Sequence, residues 1–182
     1  MIFRRRGTHE EQSLEEGMTE VMRPPGPLNQ LIVPSSILFS SLRGLRGYVP
    51  AEGLCYWYGR ELEGGVGVVM VAAFPRIYST ESSFQLMPGQ MSQLTTWSAR
   101  EGLWLLAQVH THPTDEPHSS ADEEWSPTHR EGFISVVFPF GAQFSDSRSP
   151  RWRLFECDGE GNWMDAPEDR LRILDDVWLP EK

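Results

Sequence analysis

The chain has 182 residues and a formal net charge of −10 at pH 7. That balance argues against broad contact with a nucleic-acid backbone, which needs clustered Lys and Arg, and no apolar run approaches the ~20 residues that cross a bilayer. Hydrophobic residues at 39% and charged residues at 23% suit an ordinary globular domain with a core of its own. Only Cys55 and Cys157 are present, far apart in sequence, so no disulfide framework is implied. Arg4, Arg5 and Arg6 lead into acidic and polar residues rather than an apolar signal core, so a reducing cytoplasm is the expected setting. The negative charge would suit a partner with a basic face.

Residues 1–29 read as an extension and 30–182 as one domain. The extension carries Glu10, Glu11, Glu15 and Glu16 and ends in Arg23-Pro24-Pro25-Gly26-Pro27, whose prolines prevent regular pairing. Leu31-Ile32-Val33 reads as a short edge strand. Pro34 with Ser35 or Ser36 starts a helix, and Leu38, Leu42 and Leu45 give it one apolar face. Gly44 and Gly47 weaken its end. An aromatic strand follows over Ala51–Gly59, with Glu52 at its start. Glu61 and Glu63 precede Gly64-Gly65, a hairpin turn, and so sit on an exposed tip.

Val66–Phe74 is a continuous apolar run, expected as a central strand stopped by Pro75. Residues 76–90 form a polar and aromatic connection, in which Phe84 and Met87 either pack over the core or anchor a partner. Met91–Glu101 suits a helix with Met91, Leu94 and Ser98 on one side and Gly102 as its stop. Phe133–Phe138 and Trp152–Cys157 read as further strands, separated by a loop over 140–150. Asp158–Gly161 is a tight turn with Asn162–Met164 as the return, and Pro167–Asp176 is either helix or strand.

The chemistry concentrates between Trp104 and Asp122. An apolar run to Val109 reads as a buried strand, and His110 and His112 continue it. Residues two apart in a strand point to the same side, so both imidazoles can face one point. Pro113 ends the strand. A polar turn leads to Ser119, Ser120 and Asp122, where a short helix from Ser120 would take Ser119 or Ser120 as its cap. Two imidazoles and a carboxylate suit zinc, whose catalytic sites keep three protein ligands and an open position. Zinc-bound water has its pKa lowered to about 7, and a carboxylate off the metal can take its proton. His118 reads as a solvated loop histidine, with a role as alternative ligand or outer donor as the rival. Cys55 reads as a core thiol, and Trp57, Trp97, Trp104, Trp152 and Trp163 as core aromatics.

H-T-H-P at 110–113 followed by S-x-x-D at 119–122 resembles the signature of the JAMM (MPN/JAB) metalloproteases. That family includes deubiquitinating enzymes and bacterial relatives acting on ubiquitin-like proteins. The resemblance implies a three-layer α/β fold, similar to cytidine deaminases, with a mixed curved sheet and a helix packed on each side. It implies one Zn²⁺ per chain, held by His110, His112 and Asp122. Ser119 would bond near the attacking water and the developing oxyanion. Glu52, in E-G-L-C-Y-W-Y-G at 52–59, stands where the family has its general base. One departure is that six residues, not the usual seven, separate His112 from the serine. Choosing Ser120 restores seven but puts Glu123 where the aspartate belongs.

The family places insertions near 76–90 and 140–150, the first against ubiquitin and the second along the substrate tail. The expected function is hydrolysis of the amide bond after the C-terminal tail of a ubiquitin-like protein. Small acidic single-domain forms resemble the bacterial members, which accompany conjugation-like gene sets, some in antiviral defence. The rival readings are a catalytically silent MPN-type scaffold, which generally lacks the zinc residues, and a peptidase trimming a sulfur-carrier protein or a small peptide conjugate.

Overall fold

A computed structural model describes residues 26–145 and 151–175. In chain order these form β1 (Gln30–Pro34), α1 (Ser35–Leu45), β2 (Leu54–Leu62), β3 (Val66–Ala73), β4 (Ile77–Ser79) and β5 (Phe84–Leu86). Next come α2 (Gln90–Arg100), β6 (Trp104–Thr111), α3 (Ser120–Glu124), β7 (Ile134–Phe138), β8 (Arg153–Cys157), β9 (Trp163–Asp165) and β10 (Leu171–Leu174). Eight strands make one sheet in the order β10-β1-β3-β2-β6-β7-β8-β9, and β4 and β5 form a separate hairpin. Pairing is parallel at β1–β10, β1–β3 and β6–β7 and antiparallel elsewhere, so the sheet is mixed.

Strand β2 shows why a helix is needed on each face. Its side chains alternate, as a two-residue repeat requires. Cys55 and Trp57 join Leu38, Leu42 and Leu45 of α1 in one core. Leu54, Tyr56 and Tyr58 join Met91, Leu94 and Trp97 of α2 in the other. All five β2 residues are buried. Burying side chains of that size stabilises the fold by roughly 1.5–3 kcal/mol each. Gly59 lets β2 bend: a Cβ there would lie 1.9 Å from the Val68 carbonyl oxygen, and the β2–β3 register shifts at this point.

Several expectations are corrected. β1 is not an edge strand, because β10 returns from the C-terminal side and pairs with it, Leu31 opposite Leu171. Of the ambiguous 167–176 segment, the described residues 167–175 hold a single 3-10 turn followed by that strand, and Asp176 lies outside them. β3 lies inside the sheet, yet Met70 is 49% exposed, so its continuous apolar run is not matched by cover on both faces. The connection over 76–90 contains the β4–β5 hairpin, and of the two places left open for Phe84 the structure gives the core, on the α2 side. Of the extension expected over 1–29, residues 1–25 lie outside the described residues, while Leu28 is buried in the α1-side core. Residues 146–150 of the 140–150 loop also lie outside them.

Candidate metal centre

β6 carries His110 into the middle of the sheet, between Leu54 on β2 and Val137 on β7. The strand ends at Thr111, and His112 is fixed just beyond it. Its N–H donates to the Phe138 carbonyl at 3.0 Å, and its own carbonyl accepts from Gly141 N–H at 2.8 Å. Asp122 arrives from the first turn of α3. Ser119 caps that helix, its Oγ accepting from Asp122 N–H at 3.3 Å. In return Asp122 Oδ2 accepts from Ser119 N–H at 2.6 Å and from Ser119 Oγ–H at 2.7 Å. Ser120 is the first residue of α3.

These elements bring three buried donor groups together. His110 Nε2 and His112 Nε2 are 3.1 Å apart. Asp122 Oδ1 lies 3.3 Å from the first and Oδ2 3.2 Å from the second. Bonds of ~2.0–2.1 Å in a tetrahedral zinc site put neighbouring ligand atoms ~3.3 Å apart, so these spacings fit such a site. Hydrogen-bond accounting agrees. His112 Nδ1 lies 3.2 Å from the Glu116 carbonyl, which can only accept, so Nδ1 carries a proton and Nε2 of the neutral ring is a bare lone pair. Lone pairs and a carboxylate crowded together call for a cation. In the metal-free protein a proton fills part of that need. Burial disfavours a charged His112, but Asp122, Glu52 and the Glu116 carbonyl outweigh it and raise its pKa. Burial holds His110 below its ordinary value. Burial pushes Asp122 up, but hydrogen bonds from both histidines and from Ser119 hold it far below the usual carboxylate range.

Glu52 reaches the same place through strand register. Leu54 pairs with His110. One step on, Gly53 N–H donates to Thr111 Oγ1 at 2.8 Å and Thr111 N–H to the Gly53 carbonyl at 3.0 Å. Another step sets Glu52 beside His112. It is only 5% exposed. Burial pushes its pKa up to about 7; the charges of Asp122 and Glu116 add to that, and His112 opposes it. The β4–β5 hairpin grips its backbone: Glu52 N–H donates to the Thr80 carbonyl at 2.8 Å, and Ser79 Oγ–H donates to the Glu52 carbonyl. Phe84 of the same hairpin packs on His110, ring centroids 5.5 Å apart.

The hairpin's hold on Glu52 is missing from the sequence reading. The signal for it was Ile77-Tyr78-Ser79 and Phe84-Gln85-Leu86 flanking the polar tip Thr80-Glu81-Ser82-Ser83. The reading of His118 as a solvated loop residue is corrected: its ring packs on Phe155 and Trp163, with centroids 5.0 and 4.8 Å away, and burial lowers its pKa to about 4. Asp115, by contrast, is exposed and pairs with Arg153. Glu116 is exposed too and meets the site through its carbonyl. Cys55 offers no rival nucleophile, since burial pushes its thiol up to about 12 and it lies on the opposite face.

No family model matches the chain. A curated relative, "Probable metalloprotease y4jG" of Sinorhizobium fredii, is 27% identical over 121 residues, covering 64% of this chain and 73% of that protein. Among solved structures, protein DSY2949 from Desulfitobacterium hafniense superposes with a TM-score of 0.61 at 16% identity, over 82% of this chain and 95% of that one. AF2198, a JAB1/MPN domain protein from Archaeoglobus fulgidus, overlays more loosely, with a TM-score of 0.44 at 14% identity over 80% and 98% of the two chains. No helix among the described residues is long and apolar enough to cross a membrane. The metalloprotease relative and the buried trio that the sequence signature assembles point the same way: the chain is of metalloprotease type, with three buried side chains that could hold a metal ion.

Proposed function

We propose that this protein is a zinc-dependent peptidase that hydrolyses the amide bond after the C-terminal tail of a ubiquitin-like protein, releasing it from a target or trimming its precursor. The observation that carries the reading is the buried trio of His110, His112 and Asp122 with the acidic Glu52 beside it. Zinc suits two imidazoles and one carboxylate, and the one such trio among the described residues would hold one ion. When bound, the ion supplies a Lewis acid that polarises the scissile carbonyl and makes water acidic enough to attack near pH 7.

The chain's own residues do the rest. Glu52 takes a proton from the attacking water and returns it to the departing amine, so water and amide become a carboxyl group and an amine. A carboxyl with a pKa near the working pH serves both steps. Ser119 holds Asp122 through its N–H and hydroxyl, and we assign that hydroxyl, whose single proton would turn from Asp122 Oδ2 to the developing charge, as the polar support for the oxyanion. A ubiquitin-like partner with a basic face suits the net charge of −10. A cytoplasmic setting, and a place in a bacterial conjugation-like or antiviral system, rest on composition and family resemblance. A silent scaffold has no use for a buried ligand trio that costs stability.

The test is to incubate the full chain with ubiquitin-like proteins of the same genome, each fused at its C-terminus to a reporter, with and without chelator. Cleavage at the end of the tail, lost with chelator and in Glu52→Gln, is the expected result. If none is cleaved by zinc-loaded protein, the substrate assignment fails.

A further inference from the structure

The α2-facing side of the sheet holds buried polar atoms with no hydrogen-bond partner among the described residues: Tyr56 Oη, both amide atoms of Gln108, Ser135 Oγ and His110 Nδ1. Strand register explains why they lie together. Tyr56, Gln108 and Ser135 are aligned across β2, β6 and β7. His110 is two residues beyond Gln108, hence on the same face, ~6.6 Å along the strand. Its own neighbours across the sheet, Leu54 and Val137, are apolar. Gln108 is therefore the polar side chain that β6 offers to the far nitrogen of His110.

That nitrogen needs an acceptor. A histidine that ligates a metal through Nε2 carries its proton on Nδ1, and such N–H groups are almost always held by a carbonyl, carboxylate or water. His112 has the Glu116 carbonyl at 3.2 Å for this purpose. His110 has no such bond. A fully buried glutamine inside a strand also destabilises the fold relative to a leucine of similar size, because its amide leaves water without a partner.

We propose that Gln108 is the positioning residue for His110: its Oε1 accepts the Nδ1 proton, directly or through one ordered water, and the Ser135 and Tyr56 hydroxyls complete the network around the amide. This fixes the tautomer and ring angle of the ligand and makes its Nε2 a better donor to metal. The inference rests on the reading of His110 as a ligand.

The experiment measures zinc affinity of the metal-free full chain by competition with a chelating dye, alongside thermal melts of the same metal-free protein. Gln108→Leu should bind zinc ~10–100-fold more weakly, with the metal-free melt confirming that the variant is folded. A merely structural glutamine would lower the melting temperature and leave affinity unchanged. Ser135→Ala, a gentler change, should move affinity the same way by less, and it decides the matter if Gln108→Leu does not fold. His118, whose ring centroid is 5.9 Å from that of His110, is the competing acceptor. His118→Phe keeps the stacking on Phe155 and Trp163 and should leave affinity unchanged. Undiminished affinity in Gln108→Leu, or a loss in His118→Phe instead, overturns the proposal while leaving the metalloprotease reading intact. Parent protein that takes up no zinc overturns both.

Discussion

The two faces of the sheet are built to different standards. On the α1 side the core is apolar and its few polar atoms are paired: Trp57 Nε1–H donates to Ser41 Oγ at 2.8 Å, and Ser41 Oγ–H donates to the Ile37 carbonyl at 2.8 Å. On the α2 side Tyr56, Tyr58, Gln108 and Ser135 are as deeply buried, yet their polar atoms have no partner among the described residues. Buried polar groups without partners cost stability, and they lie on the face that carries His110. One face is closed by apolar packing, and the other carries buried polar groups next to His110.

The sharpest way to break this contrast is to remove a ligand. Asp122→Ala should abolish hydrolysis and leave no stoichiometric zinc by elemental analysis, while the apolar α1 side keeps the chain folded. An unfolded variant would show that the trio also supports the structure. Glu52→Gln comes next. Zinc content should be unchanged, while turnover falls ~10²–10⁴-fold, the usual contribution of a general base. The same variant has a pH signature in metal-free melts. The pKa of Glu52, about 7 in the fold, lies above its ordinary 4.5. Between those values the unfolded chain releases a proton that the folded chain keeps, so stability falls as pH rises through the window. Glu52→Gln escapes that loss. Its advantage should be absent below pH 4.5, grow up to pH 7 and then level off at roughly 3 kcal/mol. A pH-independent difference would exclude the raised pKa. On the opposite face, Trp57→Ala should cost about 3–5 kcal/mol in denaturant unfolding through cavity and transfer terms, with zinc affinity unchanged in the fraction that remains folded.

What the sequence disclosed, and what it hid, follows from how local each feature is. The two-residue spacing of His110 and His112 fixes their shared side, because the strand repeat needs nothing beyond the strand. Likewise Ser119 at the start of α3 carries Asp122 in the first turn as a local cap. The meeting of Glu52 with His112 depends on the β2–β6 register, more than fifty residues apart, and only the family resemblance pointed to it. His118 looked solvated because the rings that bury it, Phe155 and Trp163, come from β8 and β9. β1 looked like an edge because β10 is only four residues long and pairs with a strand at the other end of the chain. Gln108 lies inside the run read as a buried strand, and its full burial shows only once β2 and β7 flank it.

The smallest effect tests whether the α2 side positions its groups through backbone as well as side chains. Ser79 Oγ–H donates to the Glu52 carbonyl, and the Thr80 carbonyl accepts from Glu52 N–H at 2.8 Å, so the β4–β5 hairpin holds the base residue from both sides. Removing one such bond costs about 0.5–1.5 kcal/mol. If that energy holds the carboxyl in place, Ser79→Ala should lower kcat by up to ~10-fold, with KM and zinc content unchanged, and Ser79→Thr should restore it. If instead the bond only tethers the hairpin, the melting temperature drops while kcat is untouched, and the base would owe its position to β2 alone.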